Sequence, residues 1–361
     1  MASMMDYLDW RGDIPFSVDP FNEVDGLILS QLAYLELDGI VPPVFSVRVL
    51  MRNAYERYCA ERESGILRHV TFQQDLSLFA KLAESRRFSG TQLTGYRSAA
   101  DAAAELQFSA MTYILEDGTG LVVYRGTDGS VIGWKEDFNL SFMPQTGAQA
   151  EALRYLDENA GRFPQYLRVS GHSKGGNLAV YASAFCRPEV RSRITQVLSY
   201  DGPGFREEIV ETPEYRSIVP RVRSFIPESA VIGMLLNNDI DHTIIRCSVS
   251  GIMQHFAYNW EVRRKAFCTV RKLSRSGEVI NNAISGWISE LNDEERKELV
   301  DAVFAIFGAS EKGTFHEINA HKLSSYPRML KALSKLSPEQ QKLVIEAIGK
   351  MAKNSTNALF A

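Results

Sequence analysis

The stretch Gly171-His172-Ser173-Lys174-Gly175-Gly176 decides the fold, because it joins a short apolar strand to a helix. The sequence predicts the strand over residues 166–170 and the helix over residues 177–185. A strand-to-helix turn of this kind holds its central residue at strained backbone angles, with the side chain exposed above the sheet. Glycines on both sides remove side chains that would collide, and the helix N-terminus beneath offers free N–H groups. The pattern favours Ser173 as a nucleophile, and the alternative is a glycine-rich connection with an incidental serine.

Strands and helices alternate outward from this turn. The further predicted elements are a hairpin of strands 109–115 and 121–124, a helix at 149–160, and strands at 196–200, 221–226 and 243–249. Such alternation is typical of a largely parallel sheet with helices on both faces. The predicted fold class is therefore α/β, and the Ser173 turn makes it an α/β-hydrolase with added helices at both ends.

The 361 residues exceed what one catalytic domain needs, and the excess is predicted to be helical. Residues 1–105 are expected to form an N-terminal helical segment on the hydrolase core, which would occupy residues 106–265. Residues 266–361 are expected to form a C-terminal helical extension without strands. The apolar periodicity behind this division predicts helices at 24–35, 47–59, 76–82, 294–307 and 341–353.

Composition and charge exclude several classes of protein. Lys and Arg number 40 against 44 Asp and Glu, so the net charge is −4 and no basic patch for nucleic acid is expected. No apolar run is long enough for a membrane span, and the acidic N-terminus is no secretory signal. The four scattered cysteines fit neither a disulfide framework nor a zinc spacing. We expect a cytoplasmic protein without a metal or cofactor.

The position of each histidine relative to the predicted strands indicates which one is the general base. This fold places its triad in the chain order Ser, acid, His, at the carboxyl ends of parallel strands. His255 follows the predicted strand 243–249 by a short loop and meets that rule; the alternative is a hydrogen-bonded structural histidine. Of the other five, His69 and His172 do not lie downstream of Ser173, and His242 precedes the strand. His316 and His321 fall in the helical tail.

Two carboxylates compete for the role of the acid. Asp201 ends the predicted strand 196–200 and opens the turn Asp201-Gly-Pro-Gly204, which would hold it rigidly at the sheet rim. Glu228 ends the next strand. Asp201 is preferred because its turn fixes it and its side chain is shorter, although an Asp that only caps its own turn is common.

The oxyanion hole needs backbone N–H groups aimed at the developing charge. One is expected from Lys174, the residue after the nucleophile, and the other from the loop of residues 124–129, which follows an earlier strand. The alternative for this loop is a hairpin turn at Asp128-Gly129. The Lys174 ammonium could favour an anionic or polar acyl substrate, or could point to solvent.

At these residues the sequence resembles the lipase-type α/β-hydrolases, especially the class 3 lipases. In those lipases a strand runs into Arg-Gly-Thr/Ser followed by a Trp and an Asp, as in Arg125-Gly126-Thr127, Trp134 and Asp137 here. Their Gly-His-Ser-x-Gly-Gly turn is matched by Gly171–Gly176, with Lys174 where they usually carry leucine. The resemblance implies that Thr127 supplies an oxyanion donor through its backbone, and its hydroxyl is a second candidate.

More closely still, the chain is similar to a bacterial family of uncharacterised lipase-like proteins over most of residues 6–265. The matching features are Asp9-Trp-Arg-Gly-Asp13, Phe21-Asn-Glu-Val-Asp25, Ser199-Tyr-Asp-Gly-Pro-Gly-Phe205 and Gln254-His255. The chain departs from the class 3 lipases after the predicted strand 221–226, where they carry their acid in an Asp-x-Val-Pro run. Glu228-Ser229 stands there instead. If Asp201 lies too far from His255, the alternatives are Glu228 as the acid, or a weak or absent acid.

These residues predict a serine esterase or lipase that forms an acyl-enzyme on a small-molecule ester or acyl substrate. The same site would serve a thioesterase, an acyltransferase or a peptidase, which the motifs do not separate. A third possibility is a catalytically quiet hydrolase fold used for binding, with the helical tail as its interaction surface. Acyl-chain length and oligomeric state have no signal in the sequence.

Overall fold

An eight-stranded sheet, with its strands side by side in chain order, forms the centre of the computed structural model. Strands β1 to β4 pair antiparallel, and β4 to β8 are all parallel. The strands are β1 (Val49–Leu50), β2 (Gln92–Asp101), β3 (Leu106–Ile114), β4 (Gly120–Tyr124), β5 (Leu167–His172), β6 (Ile194–Tyr200), β7 (Val222–Pro227) and β8 (His242–Ile245). A separate hairpin pairs β9 (Val262–Arg263) with β10 (Ala266–Phe267).

The structure describes residues 1–68, 70–275, 277, 291–310, 322–342 and 344–345. Its α-helices before the turn that holds Ser173 are α1 (Met4–Arg11), α2 (Glu23–Leu32), α3 (Met51–Glu63), α4 (Gln74–Glu84), α5 (Val131–Asn139) and α6 (Gly147–Glu158). Those after it are α7 (Lys174–Phe185), α8 (Pro188–Arg191), α9 (Glu207–Val210), α10 (Pro213–Ile218), α11 (Asp293–Gly308) and α12 (Lys322–Leu333).

The side chains of the strands alternate between two apolar layers, one on each face of the sheet. Val122 and Tyr124 of β4 pack into the layer that includes α6, α7 and α10. Leu121 and Val123 point the other way, into the layer formed with α1 to α4. Since parallel strands in chain order with right-handed crossovers place their connecting helices on one face, the N-terminal helices cover the other. The fold is an α/β-hydrolase with helices on both faces of the sheet, as the sequence predicts.

The first 105 residues are not wholly helical, which differs from the expectation. Residues 92–101 form β2, which pairs along its length with β3 and adds a long strand to the central sheet. The helical periodicity of the earlier residues does not extend into this segment. The sheet therefore begins before residue 106, and the N-terminal segment shares it with the core.

A buried arginine fixes the N-terminal helices to one another. The Arg87 guanidinium forms an ion pair with Asp25 of α2 (Nη2 to Oδ2, 2.5 Å), and both side chains are fully buried. It also donates to the carbonyls of Ile14, Asp19 and Pro20 and lies over the Phe16 ring. Asp25 belongs to one of the motifs noted above, and its role there is structural.

Arg168 is the second residue of β5, an awkward place for a charged side chain in a covered sheet. Its guanidinium stacks over the Phe21 ring at 4.7 Å and donates to the Thr119 hydroxyl. It also reaches Asp117 at 3.4 Å, so the charge leaves the sheet at the hairpin turn that joins β3 to β4. The side chain thus covers apolar surface with its stem and keeps its charge at the edge.

The C-terminal residues begin as an extension of the sheet. The β9–β10 hairpin crosses the expected boundary at residue 265, and Thr269 bridges to Ile245 of β8, so strand character continues past it. Farther on, α11 packs against α5 through the Phe138 and Phe304 rings, 5.8 Å apart, and through an ion pair from Lys135. The helix predicted at 341–353 lies mostly outside the described residues.

Candidate active site

The turn between β5 and α7 holds Ser173 at φ 58° and ψ −134°, a left-handed conformation that a residue with a side chain rarely adopts. Gly171 and Gly175 make this turn possible. A Cβ on Gly171 would collide with the Gly175 backbone, and one on Gly175 would lie 3.0 Å from the Arg125 carbonyl carbon. Ser173 therefore stands above the carboxyl end of β5, with the free N–H groups of the first α7 turn below it.

His255 and Asp201 meet beside this turn. His255 Nδ1 lies 2.6 Å from Asp201 Oδ2, and the Asp201 side chain is almost completely buried. His255 sits on a short 3₁₀ turn, Gly251–His255, after β8, and its side chain keeps 17% of its surface exposed. Among the hydrogen bonds of the described residues, none joins Ser173 Oγ to His255; such bonds are often long before substrate binds.

The turn after β6 aims the Asp201 carboxylate. Asp201 adopts φ 49°, and its backbone N–H donates to the Phe225 carbonyl of β7 at 2.7 Å. Its second oxygen, Oδ1, accepts from the Gly233 N–H at 3.0 Å, which leaves Oδ2 for the imidazole. Glu228 instead accepts from the Cys247 N–H at 3.3 Å. The geometry thus brings Asp201, and not Glu228, to His255.

A second histidine, His172, supports the first. Its Nε2 lies 2.8 Å from the His255 carbonyl, and its Nδ1 lies 2.9 Å from the Tyr34 hydroxyl. Because a carbonyl only accepts, Nε2 carries the proton and Nδ1 accepts from Tyr34. Burial lowers the pKa of His172 to about 3, so the ring stays neutral. The sequence argument set His172 aside because it precedes Ser173, yet the Gly-His-Ser motif itself contained the signal.

The segment that follows His255 is anchored to the N-terminal helices. Tyr258 donates its hydroxyl to Asp75 of α4 at 2.6 Å, and the Phe72 ring meets the Phe256 ring at 5.5 Å. From within the segment, Trp260 Nε1 donates to the Gln254 carbonyl at 2.8 Å. The position of His255 therefore depends on residues far away in the sequence, which no local motif signals.

The loop after β4 lies directly against Ser173. A Cβ on Gly126 would lie 2.6 Å from the His172 carbonyl oxygen and 3.1 Å from Ser173 Cβ, so this residue has room only as glycine. The Thr127 hydroxyl donates to Asp137 Oδ2 at 2.6 Å and is thereby committed to a protein partner. Burial raises the pKa of Asp137 to about 6. Among the described residues, no acceptor within the protein takes up the Thr127 backbone N–H.

The Lys174 side chain does not face a substrate or solvent, which corrects the suggestion that it favours an anionic acyl group. It is 1% exposed, and its ammonium contacts Glu136 Oε2 at 2.8 Å and both oxygens of Gln107. Its backbone N–H, at the first position of α7, belongs to the unpaired donors of a helix N-terminus.

Of the remaining histidines, His242 begins β8 and shares a hydrogen bond with Ser224 at 2.9 Å, away from Ser173. His69, His316 and His321 lie outside the described residues. In the described part of the chain, no group of three His, Cys, Asp or Glu side chains is arranged to hold a metal ion. None of the described helices is long and apolar enough to cross a membrane.

A sequence model of the Mbeg1-like family matches residues 82–305, more than half of the chain. The chain belongs to the Mbeg1-like family. The resemblance to class 3 lipase-like proteins is thereby confirmed at the level of the superfamily. The matched segment of this Mbeg1-like chain includes Ser173, Asp201 and His255, whereas Tyr34 and Asp75 precede it. No curated protein matches the sequence.

Three solved structures of lipases are among those similar to this chain. M37 lipase shares 12% identity over 58% of this chain and 69% of its own, with a TM-score of 0.37. The native Rhizomucor miehei lipase propeptide complex shares 16% over 54% and 66%, with a TM-score of 0.33. A fungal lipase–inhibitor complex shares 16% over 55% and 76%, with a TM-score of 0.34.

Proposed function

We propose that this protein is a serine hydrolase that cleaves carboxylic esters through an acyl-enzyme on Ser173. The observation that carries the proposal is the 2.6 Å contact between His255 Nδ1 and Asp201 Oδ2 beside a strained serine turn. A buried carboxylate that accepts from Nδ1 leaves the lone pair on Nε2, where a general base needs it. The His172 and His255 rings lie 4.8 Å apart, tilted by 34°. His172 has both nitrogens committed within the protein, so His255 is the base.

The reaction then follows the acyl-transfer sequence. Ser173 Oγ attacks the ester carbonyl carbon while its proton passes to His255 Nε2, and Asp201 stabilises the imidazolium that forms. The backbone N–H groups of Thr127 and Lys174 donate to the oxyanion. Collapse breaks the ester bond, and His255 returns its proton to the departing alcohol. Water, deprotonated by the same imidazole, hydrolyses the acyl-enzyme and releases the acid.

The roles of the two candidate acids are tested by a matched pair of variants. We expect Asp201→Asn to lower kcat/KM for p-nitrophenyl esters by about 10⁴-fold, because the imidazole loses the carboxylate that fixes its tautomer. Glu228→Gln, which changes a carboxylate outside the site in the same way, should leave it nearly unchanged. The reverse order would assign the acid to Glu228.

The nucleophile is tested separately. A fluorophosphonate should label wild type and leave Ser173→Ala unlabelled, while hydrolysis of esters with short and long acyl groups disappears in the variant. Labelling without ester hydrolysis would move the proposal to a thioesterase, acyltransferase or peptidase. No labelling of wild type would contradict the enzyme reading and favour a binding role.

We also propose that the substrate is a small, mostly apolar ester and that the protein works in the cytoplasm. The location is supported by the cysteines, since all four are free thiols and two of them, Cys186 and Cys247, are buried. Free buried thiols are typical of reducing compartments.

A further inference from the structure

The Lys174 ammonium and the Glu136 carboxylate form a buried ion pair under the proposed oxyanion hole. Each side chain is 1% exposed. The three ammonium protons meet three oxygens, those of Glu136, of the Gln107 side chain and of the Gln107 carbonyl, at 2.8–2.9 Å. Burying two charges is costly unless both are paired and hydrogen-bonded, and here the ammonium is fully satisfied.

The carboxylate end of the pair is equally well connected. Glu136 Oε1 accepts from the Ala148 N–H at the start of α6 (2.7 Å), and Oε2 accepts from the Gln107 N–H of β3 (3.1 Å). The Glu136–Lys174 pair therefore joins four elements: β3, α5, α6 and the nucleophile helix α7. An ion pair with this many hydrogen bonds fixes the positions of these elements relative to one another.

One end of the pair lies on α7, which carries one proposed oxyanion donor, and the other lies on α5, which packs against the loop that carries the second. Lys174 itself offers one backbone N–H, immediately after Ser173. Glu136 lies on α5, next to Asp137, which accepts from the Thr127 hydroxyl at 2.6 Å. The same helix packs closely on Thr127, because a Cβ on Gly133 would lie 2.7 Å from Thr127 Cγ2. The distance between the two donors is thus set through α5 and α7.

We propose that the Glu136–Lys174 pair holds the Thr127 and Lys174 N–H groups at the separation that the oxyanion requires. Glu136 and the Lys174 side chain are then positioning residues of the hydrolase. The inference rests on the proposed acyl-transfer function. Stabilisation of an oxyanion depends on donors that are fixed before charge develops, so loss of the pair should weaken the transition state more than substrate binding.

Three variants test this role. Lys174→Met removes the cation but keeps the backbone N–H, and Glu136→Gln keeps the shape of the carboxylate. The double variant Glu136→Gln/Lys174→Met removes both charges of the pair together, which avoids the cost of leaving one of them alone. Asp137 Oδ1, 4.0 Å from the ammonium, loses a nearby cation in either lysine variant, so thermal unfolding is measured for every variant. Lys135→Met is the matched control, because this neighbouring lysine pairs with Glu105 and Asp301 at the half-buried outer side of α5.

The measurements are kcat and KM for a p-nitrophenyl ester, inhibition by a boronic acid that mimics the tetrahedral state, and thermal unfolding. We expect the double variant to lose about 10²-fold in kcat, with a parallel loss of boronic acid affinity and an unchanged KM. A folded double variant that turns over as fast as Lys135→Met would overturn the inference. The inference would also be overturned if the loss of kcat came with a comparable rise in KM and a lower melting temperature, because that pattern indicates a structural role only.

Failure of the proposed function gives a different result. If wild type is neither labelled by a fluorophosphonate nor active on esters, the acyl-transfer function is wrong. If wild type is labelled and active, and the variants behave like Lys135→Met, only the positioning role is wrong.

Discussion

The buried carboxyl of Asp75 makes a sharp prediction about stability and pH. The side chain is fully buried on α4, and Oδ1 accepts from Gln31 Nε2 (2.8 Å) and from the Tyr258 hydroxyl (2.6 Å). Within the described part of the chain, Oδ2 is buried without a hydrogen-bond partner. Burial raises the pKa of Asp75 from 3.8 to about 7, against the smaller opposing effect of its hydrogen bonds.

The direction of the pH effect follows from proton binding. Between pH 3.8 and about 7 the unfolded chain is ionised at this residue while the folded protein keeps its proton. The contribution to stability is therefore fully present below the unfolded pKa and is lost as the pH rises through about 7. Since one pKa unit corresponds to 1.36 kcal/mol, the loss amounts to about 4 kcal/mol.

Asp75→Asn should remove this dependence. The amide can still accept on Oδ1 from Gln31 and Tyr258, and it places a donor where the protonated acid also has one. We expect the variant to match wild type near pH 4 and to exceed it by about 3–4 kcal/mol near pH 8. Urea unfolding followed by tryptophan fluorescence measures the difference, with exposed Asp38→Asn as the control. A variant that is no more stable than wild type at pH 8 would refute the reasoning.

Three further substitutions test the packing around the site. Arg87→Met leaves Asp25 as an uncompensated buried charge and should cost about 3–5 kcal/mol of stability in urea unfolding; a loss below about 1 kcal/mol would contradict the buried pair. Gly126→Ala places a methyl group against the Tyr34 hydroxyl. It should lower kcat for ester hydrolysis with only a small change in the melting temperature; an unaltered kcat would mean that the loop has room for the methyl group. Phe304→Ala removes a nearly buried ring from the contact of α11 with α5 and should speed limited proteolysis of α11; an unchanged cleavage rate would show that this ring does not hold α11.

The parts of the site that rest on local chemistry could be predicted from the sequence. The glycine pattern around Ser173 predicts a strained turn from local sequence alone. The turn after Tyr200 places Asp201 at the carboxyl end of its strand. The position of His255 follows from the chain order of strands in this fold. The contact between Asp201 and His255 is consistent with that order, and the catalytic roles remain a proposal.

The parts that depend on contacts between distant residues could not be predicted. A lysine beside a nucleophile gives no indication in the sequence that its ammonium turns inward to Glu136, because the acceptors on β3 and α5 are 38 residues or more away. Strand β2 was not predicted for the same reason. Its residues gain their extended conformation by pairing with β3, and intrinsic propensity yields to such pairing.

The order of the elements along the chain has a consequence for folding during synthesis on the ribosome. Helices α1 to α4 leave the exit tunnel before the parallel strands whose face they cover have been made. The side of α2 that later meets β5 and β6 must wait for more than a hundred further residues. During that interval it is exposed to aggregation and suited to capture by chaperones. The layer on the opposite face faces no such delay, since α6 and α7 are synthesised together with the strands that they cover.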